Sequence, residues 1–292
     1  MMHPSEIAGL VLAAAAGGAI NAIAGGGTLV TFPALLFFGT EPKIANATST
    51  LALVIGTCGS IYGYRRHLEA VKPWWPRFVP VSILGGLIGS VLLTFTSNKT
   101  FSQLVPFLIL FATILFLAQG AFKRAVKIAP HENSHPPIAP KSDEGGSRIT
   151  HHASHIADRA PRSTLHAPPP ALLGPILFQL AVAIYGGYFG AGIGILMLAS
   201  LGYIGLANIY EMNALKTGLG SIINLVAAIW FIFAGLINWP RAAVMTIGAL
   251  AGYYLGAHYA QRISQQRVRQ LITAIGFGLA AVTFYQQFLH SR

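Results

Sequence analysis

The sequence predicts an all-α polytopic membrane protein built from two inverted repeats of about five hydrophobic segments each, with short glycine-broken or re-entrant segments near its centre. Three observations predict this. Of the 292 residues, 54% are hydrophobic and only 9% are charged, well below the roughly one quarter typical of a water-facing domain. The apolar residues fall in many long runs rather than one amphipathic set, and the mean hydropathy is +0.60. The two ends of the chain also repeat one another in register.

Ten apolar stretches can be drawn, at 6–24, 27–39, 47–64, 78–96, 101–121, 171–189, 191–206, 212–234, 241–260 and 268–288. Most reach the ~20 residues that cross a bilayer as a helix. The first lies within Met1 to Ala24, where Glu6 is the only charge. It lacks a basic start and runs through Gly25-Gly26-Gly27 into more membrane-grade sequence, so it reads as a retained segment rather than a signal peptide. The second and seventh stretches are short, and each is preceded by glycines. Short segments broken by glycine at matching positions of two halves point to a transport site.

Residues 123–170 are different material, with Pro136-Pro137, Gly145-Gly146, Pro168-Pro169-Pro170 and charges of both signs. They read as a flexible, solvated linker between a first membrane repeat at 1–122 and a second at 171–292. The linker holds His131, His135, His151, His152, His155 and His166. His151 and His155 have i, i+4 spacing, but the segment reads as a disordered polar loop, so neither a metal site nor a cofactor is expected. Cys58 is the single cysteine, which excludes an intramolecular disulfide and reads as a small packing residue.

The repeat is visible in a few residues. Asn46-Ala47 and Thr50 match Asn213-Ala214 and Thr217 at an offset of 167 (213 − 46). The same offset places Gly25 on Gly192, Gly27 on Gly194 and Leu29 on Leu196. The net charge of +11 sits in short loops at the ends of apolar runs rather than along a helix face, so the expected partner is a lipid bilayer and not nucleic acid. Arg65, Arg66, Lys72 and Arg77 form one cluster, Lys123, Arg124 and Lys127 a second, Arg262, Arg267 and Arg269 a third. With the N-terminus outside and five segments per half, all three fall inside, as the positive-inside rule requires. The expected location is the cell inner membrane, with a periplasmic N-terminus and a cytoplasmic linker. The basic loop follows the third segment in the first half and the fourth in the second, as oppositely inserted repeats produce.

Absences narrow the chemistry. No nucleotide-binding loop, zinc-protease motif or nucleophile elbow is present, so neither an ATP motor nor an enzyme is expected. Asp143 and Asp158 lie in the linker, and the apolar runs carry no interior carboxylate. Cation transporters neutralise cargo with buried acids; this chain offers amides, hydroxyls, glycine breaks and a lysine, which suit an anion. Asn213, Lys216 and Thr217 share a helix face by i, i+3, i+4 spacing, matched by Asn46 and Thr50. Each set is placed near a helix start, where backbone N–H groups attract anions. The expected binding residues are therefore Asn46, Thr50, Asn213, Lys216 and Thr217, with Gly25, Gly26, Gly27, Gly192 and Gly194 at the breaks. A structural reading competes, in which these are capping and interhelical hydrogen-bonding residues. Glu41 and Glu211, at the edges of the third and eighth segments, are the candidates for proton coupling. A homodimer is left open.

Several strings resemble the sulfite exporter TauE/SafE family. They are Gly25-Gly26-Gly27-Thr28-Leu29, Phe32-Pro33-Ala34-Leu35-Leu36, Lys43 through Thr50 and Gly63-Tyr64-Arg65-Arg66 in the first half, with Gly186 through Gly192 and Asn213 through Thr217 in the second. The resemblance covers both membrane halves and not the linker. It implies secondary transport of small sulfur-containing anions such as sulfite, sulfoacetate or other organosulfonates, in the direction of export. A passive anion channel, and further off a membrane enzyme or scaffold, are the alternatives. Family members are described with seven or eight crossings, so some of the ten segments are expected to re-enter.

Overall fold

The structure is a computed structural model that describes residues 2–23, 25–69, 71–125, 173–203, 206, 209–259 and 265–285. The linker histidines, and Lys127, fall outside them. So do the side chains of Cys58, Arg65, Arg66, Lys123, Arg124, Arg262, Arg267 and Arg269.

All regular structure among the described residues is helical. The helices are α1 (Pro4–Ile23), α2 (Thr28–Phe37), α3 (Pro42–Leu68), α4 (Trp75–Phe95) and α5 (Asn98–Ala125) in the first half, with a 3-10 turn at Lys72–Trp74. The second half supplies α6 (Leu173–Tyr188), α7 (Ile193–Tyr203), α8 (Ile209–Phe233), α9 (Trp239–Tyr259) and α10 (Gln265–Phe284). Each of the ten expected segments corresponds to one helix. Among the described residues, four spans are long and apolar enough to cross a membrane by length and composition: Pro4–Ala22, Lys72–Phe95, Asn98–Ala118 and Glu211–Phe233.

Local chemistry sets the boundaries. Ser97 Oγ accepts from the Thr100 N–H at 3.0 Å and starts α5. Asn238 Oδ1 does the same for the Arg241 N–H at 3.2 Å and starts α9. Proline stands in the first turn of α3 and α4, where its missing N–H costs no helical bond. The breaks between α1 and α2 and between α6 and α7 are made by residues at positive φ, Gly25 at 70° and Gly192 at 80°. These two are the glycines matched by the 167 offset, so the repeat extends to backbone conformation. Neither position tolerates a side chain without strain.

The tightest packing crosses the halves. On α9, Gly248, Gly252 and Gly256 lie against the backbone of Val11, Ala15 and Ala19 of α1, so closely that a Cβ on Gly252 would overlap the Ala15 carbonyl oxygen. On α4, Gly85 and Gly89 lie against Leu180, Ile184 and Tyr188 of α6 in the same manner. Small residues every fourth position let two backbones touch, the usual basis of helix association in lipid. Both contact series ascend together, so α1 runs parallel to α9 and α4 parallel to α6. Other pairings among the described residues exchange under a swap of halves too: α3 packs on α9 as α8 packs on α4, while α3–α8 and α5–α10 pair with their own counterparts; the α3–α5 and α2–α5 contacts have no counterpart of similar extent.

Two apolar cores result, and neither is a sequence half. One gathers Phe78 of α4, Val182 and Ala183 of α6, Met197 and Leu201 of α7, and Leu215, Leu219 and Ile223 of α8. The other joins α1, α2, α3, α5, α9 and α10 around residues such as Leu10, Phe32, Ile109, Phe116 and Met245, and also takes in Leu93 of α4, Ile195 of α7 and Ala227 and Phe231 of α8. Large apolar side chains face outward along the helices, among them Leu12, Leu84, Leu92, Phe107, Leu225 and Ile247. An outward apolar face of this kind belongs in lipid.

Candidate functional site

The two breaks are brought together. A Cβ on Gly26 would run into the Phe116 ring, and one on Gly192 would meet Ala112 O and Leu115 Cδ1 at 3.7 Å. Ala112 and Phe116 are one turn of α5 apart, about 6 Å. Phe32 of α2 and Phe189 of the second break also meet edge to face, with ring centroids 5.4 Å apart.

Chemically the breaks differ. In the first, Asn21 Oδ1 accepts from the N–H of Gly26 at 3.0 Å and of Gly27 at 3.5 Å. Its Nδ2 is held by the hydroxyl of Tyr253, which is 5% exposed. Thr31 donates to Gly27 O at 3.1 Å and shares a 2.6 Å hydrogen bond with Ser49. The donors that the sequence expected to be free at this break are thus occupied by the protein's own amide. In the second break, Tyr185 donates its hydroxyl to Ala191 O at 2.8 Å. Among the described residues, no acceptor is found for the N–H groups of Ala191, Gly192, Ile193 or Gly194. The N-terminus of α7 is open.

Around that opening stand two of the expected residues. A Cβ on Gly194 would sit 3.4 Å from Lys216 Cδ and 3.8 Å from Cε, so the half-buried lysine stem passes the first turn of α7. Asn46 is 1% exposed and donates through Nδ2 to Tyr188 O at 3.1 Å, where α6 ends. Its Oδ1 is buried with no partner. Asn224 Oδ1 lies 3.5 Å from where a Cβ on Gly190 would be.

The other expected residues are placed as follows. Thr50 is buried and donates to the Asn46 carbonyl at 2.9 Å, so its hydrogen is spent on its own helix. Asn213 and Thr217 are half-buried on α8, and the Thr217 carbonyl accepts from Ser221 at 2.8 Å. Neither asparagine is at a helix start, because α3 begins at Pro42 and α8 at Ile209. Their own N–H groups fall inside helical ladders, and the open terminus nearby belongs to α7. Glu41 is exposed and accepts from Asn98 Nδ2 at 2.9 Å, at a loop edge; Glu211 is half-buried on the first turn of α8.

Sequence reasoning missed three charged residues. Lys43 is buried and donates to Thr94 O at 2.9 Å and Thr96 O at 2.7 Å, at the last carbonyls of α4. Arg241 pairs with Glu6 at 2.7 Å and also donates to Thr40 Oγ1 and Phe38 O, tying α9 to α1 and to the end of α2. A signal for Arg241 existed: Trp75-Pro76-Arg77 and Trp239-Pro240-Arg241 open the equivalent helices α4 and α9. The two arginines have diverged, since Arg77 is exposed over Trp74 and donates to Pro73 O at 3.3 Å.

A chain whose regular structure, among the described residues, is all helical, with an outward apolar face and two helix breaks meeting inside, is a multi-pass membrane protein. Residues 10–283 match the family "Sulfite exporter TauE/SafE", and the chain belongs to it. It is similar to a "Probable membrane transporter protein" of Haemophilus influenzae, with 28% identity over 92% of this chain and 90% of that one. It is also similar to "Probable membrane transporter protein YfcA" of Escherichia coli (strain K12), at 25% identity over 99% of this chain and 95% of that one. "Probable membrane transporter protein ORF9" of Sinorhizobium sp is 25% identical over 94% and 90%. No solved structure matches the chain.

Proposed function

We propose that this membrane transporter exports small sulfur-containing anions, such as sulfite, sulfoacetate or other organosulfonates, across the inner membrane by alternating access. The observation that carries the proposal is the open N-terminus of α7 beside the stem of Lys216, deep among helices that face lipid on their outer side. Unmet N–H groups and a helix dipole attract negative charge. Irregular backbone at membrane depth is tolerated where it lines a cavity rather than faces lipid. The family name, which speaks of sulfite export, agrees in charge and size.

Inverted repeats follow from the same reading. Lys43 at the start of α3 touches the end of α4, so these two are antiparallel, as α2 and α3 are through the Thr31–Ser49 contact. With α4 parallel to α6, the second half begins in the direction opposite to the first. A periplasmic N-terminus then puts Glu6, Phe38, Lys43 and Arg241 together on the periplasmic side, in keeping with their contacts. The bodies that rock are not the two sequence halves, because α1 is bound to α9 and α4 to α6. In this reading the α4–α6–α7–α8 group moves against the remainder across the α3–α8 and α5–α7 contacts and the apolar cluster that Leu93, Ile195, Ala227 and Phe231 share with it.

Flux of sulfite and a panel of sulfonates into proteoliposomes, with and without a proton gradient, tests the proposal. Saturable flux of at least one sulfur anion is expected. Non-saturating flux supports the channel alternative, and no flux from well-folded protein rejects transport of this class.

A further inference from the structure

We propose that Asn46 makes the site selective for anions that also carry a hydrogen-bond donor: a hydroxyl, an amine or the proton of hydrogen sulfite. The inference rests on the transport reading above and adds a property of the substrate. An amide side chain has a donor end and an acceptor end that coordinates alone do not tell apart. At Asn46 the partner decides, because Tyr188 O is a carbonyl and only accepts. Nδ2 must face it, and Oδ1 is therefore fixed as an acceptor.

That oxygen is buried without a partner. A stranded acceptor of this kind is expensive, and a group that supplies a hydrogen recovers the loss. Gln179 Oε1 is buried and unpartnered as well, but its Nε2 faces Ser82 Oγ at 3.0 Å. A hydroxyl both donates and accepts, so that amide can turn over, and its orphan does not specify a ligand atom. Asn46 cannot turn over.

The position adds the second half of the case. Tyr188 O, which holds Asn46, lies three residues before the open N–H groups at Ala191 to Gly194. One end of a small ligand can therefore meet N–H donors and the other a fixed acceptor. A fully deprotonated oxyanion without a hydroxyl or amine offers nothing to Oδ1, and its lone pairs repel it. Sites built to bond a polar hydrogen discriminate strongly against analogues that lack one.

The test compares 2-hydroxyethanesulfonate with 1-propanesulfonate, which differ by OH against CH3 at nearly equal size. Binding to purified protein and flux in proteoliposomes are both read. Wild type should favour the hydroxylated ion by about tenfold. In Asn46→Leu, checked for folding by size exclusion, the preference should collapse towards unity, chiefly through weaker binding of the hydroxylated ion. Equal affinities in wild type overturn the inference while leaving sulfonate transport standing, and this holds whether or not the variant folds. A preference retained in folded Asn46→Leu overturns the assignment to Asn46. Binding of sulfite, titrated in parallel, but of neither sulfonate overturns the inference alone, and binding of none of the three overturns the transport reading with it.

Discussion

Helix dipoles sort the basic residues that enter the helical body. Lys43 and Arg241 lie at the carboxyl ends of α4 and α2, where unpaired carbonyls and the negative end of the dipole suit a cation. Each donates to those carbonyls, and Arg241 adds the Glu6 carboxylate. These are structural ties. The Lys216 stem instead passes the amino end of α7, where a dipole disfavours a cation and an anion between the two suits both. The Glu6 and Arg241 side chains are 15% and 17% exposed, so breaking the pair should cost somewhat less than the 3–5 kcal/mol of a fully buried one. Glu6→Gln is expected to lower stability by roughly 2–4 kcal/mol and to reduce the thermal midpoint measured in detergent. Arg77→Ala, at the equivalent but exposed position, should shift it little, within about 0.5 kcal/mol.

At the scale of elements, the glycine contacts between α1 and α9 and between α4 and α6 bear most of the organisation. Gly89 and Gly252 have backbone where a Cβ would go, so Ala at either should separate a helix pair and reduce folded yield. Gly278 on α10 has nothing within 4 Å of that position, and Gly278→Ala should be neutral or stabilising by about 0.5–1 kcal/mol through helix propensity. Fluorescence-detected size exclusion of the three variants checks the contrast, and a loss at Gly278 matching that at Gly252 would discredit it. How much of this was legible follows from the physics. Hydropathy marks a segment because lipid demands it, and all ten helices were readable. Helix starts were less so: Pro42 and Lys43 look polar, and the third segment was expected to begin at Ala47, which hid the buried lysine. The partner of each glycine was not readable, because a small residue at every fourth position announces a close neighbour without naming it.

For the whole molecule, repetition of sequence has produced a symmetric frame with an unsymmetric site. The offset that matched Gly25 with Gly192 also matches Asn21 with Tyr188. An amide closes the first break, while at the second the corresponding carbonyl receives Asn46 from the other half. The sequence supplied the matched glycines and the residues beside them, and suggested two equivalent breaks. It gave no sign that Asn21 fills one of them, because an asparagine inside an apolar run has no readable partner until the chain is folded. The crossed pairing of α1 with α9 and α4 with α6 was likewise unreadable from the repeat alone.

The central claim is that one anion binds at the second break with the help of Lys216. Calorimetric titration of purified wild type and Lys216→Ala with sulfite and 2-hydroxyethanesulfonate tests it most directly. Wild type should bind one anion per chain, and Lys216→Ala should bind more weakly by about 1–3 kcal/mol, with partial recovery in Lys216→Arg. Unchanged affinity in a well-folded Lys216→Ala protein, or two equivalent anions per chain, would contradict the account.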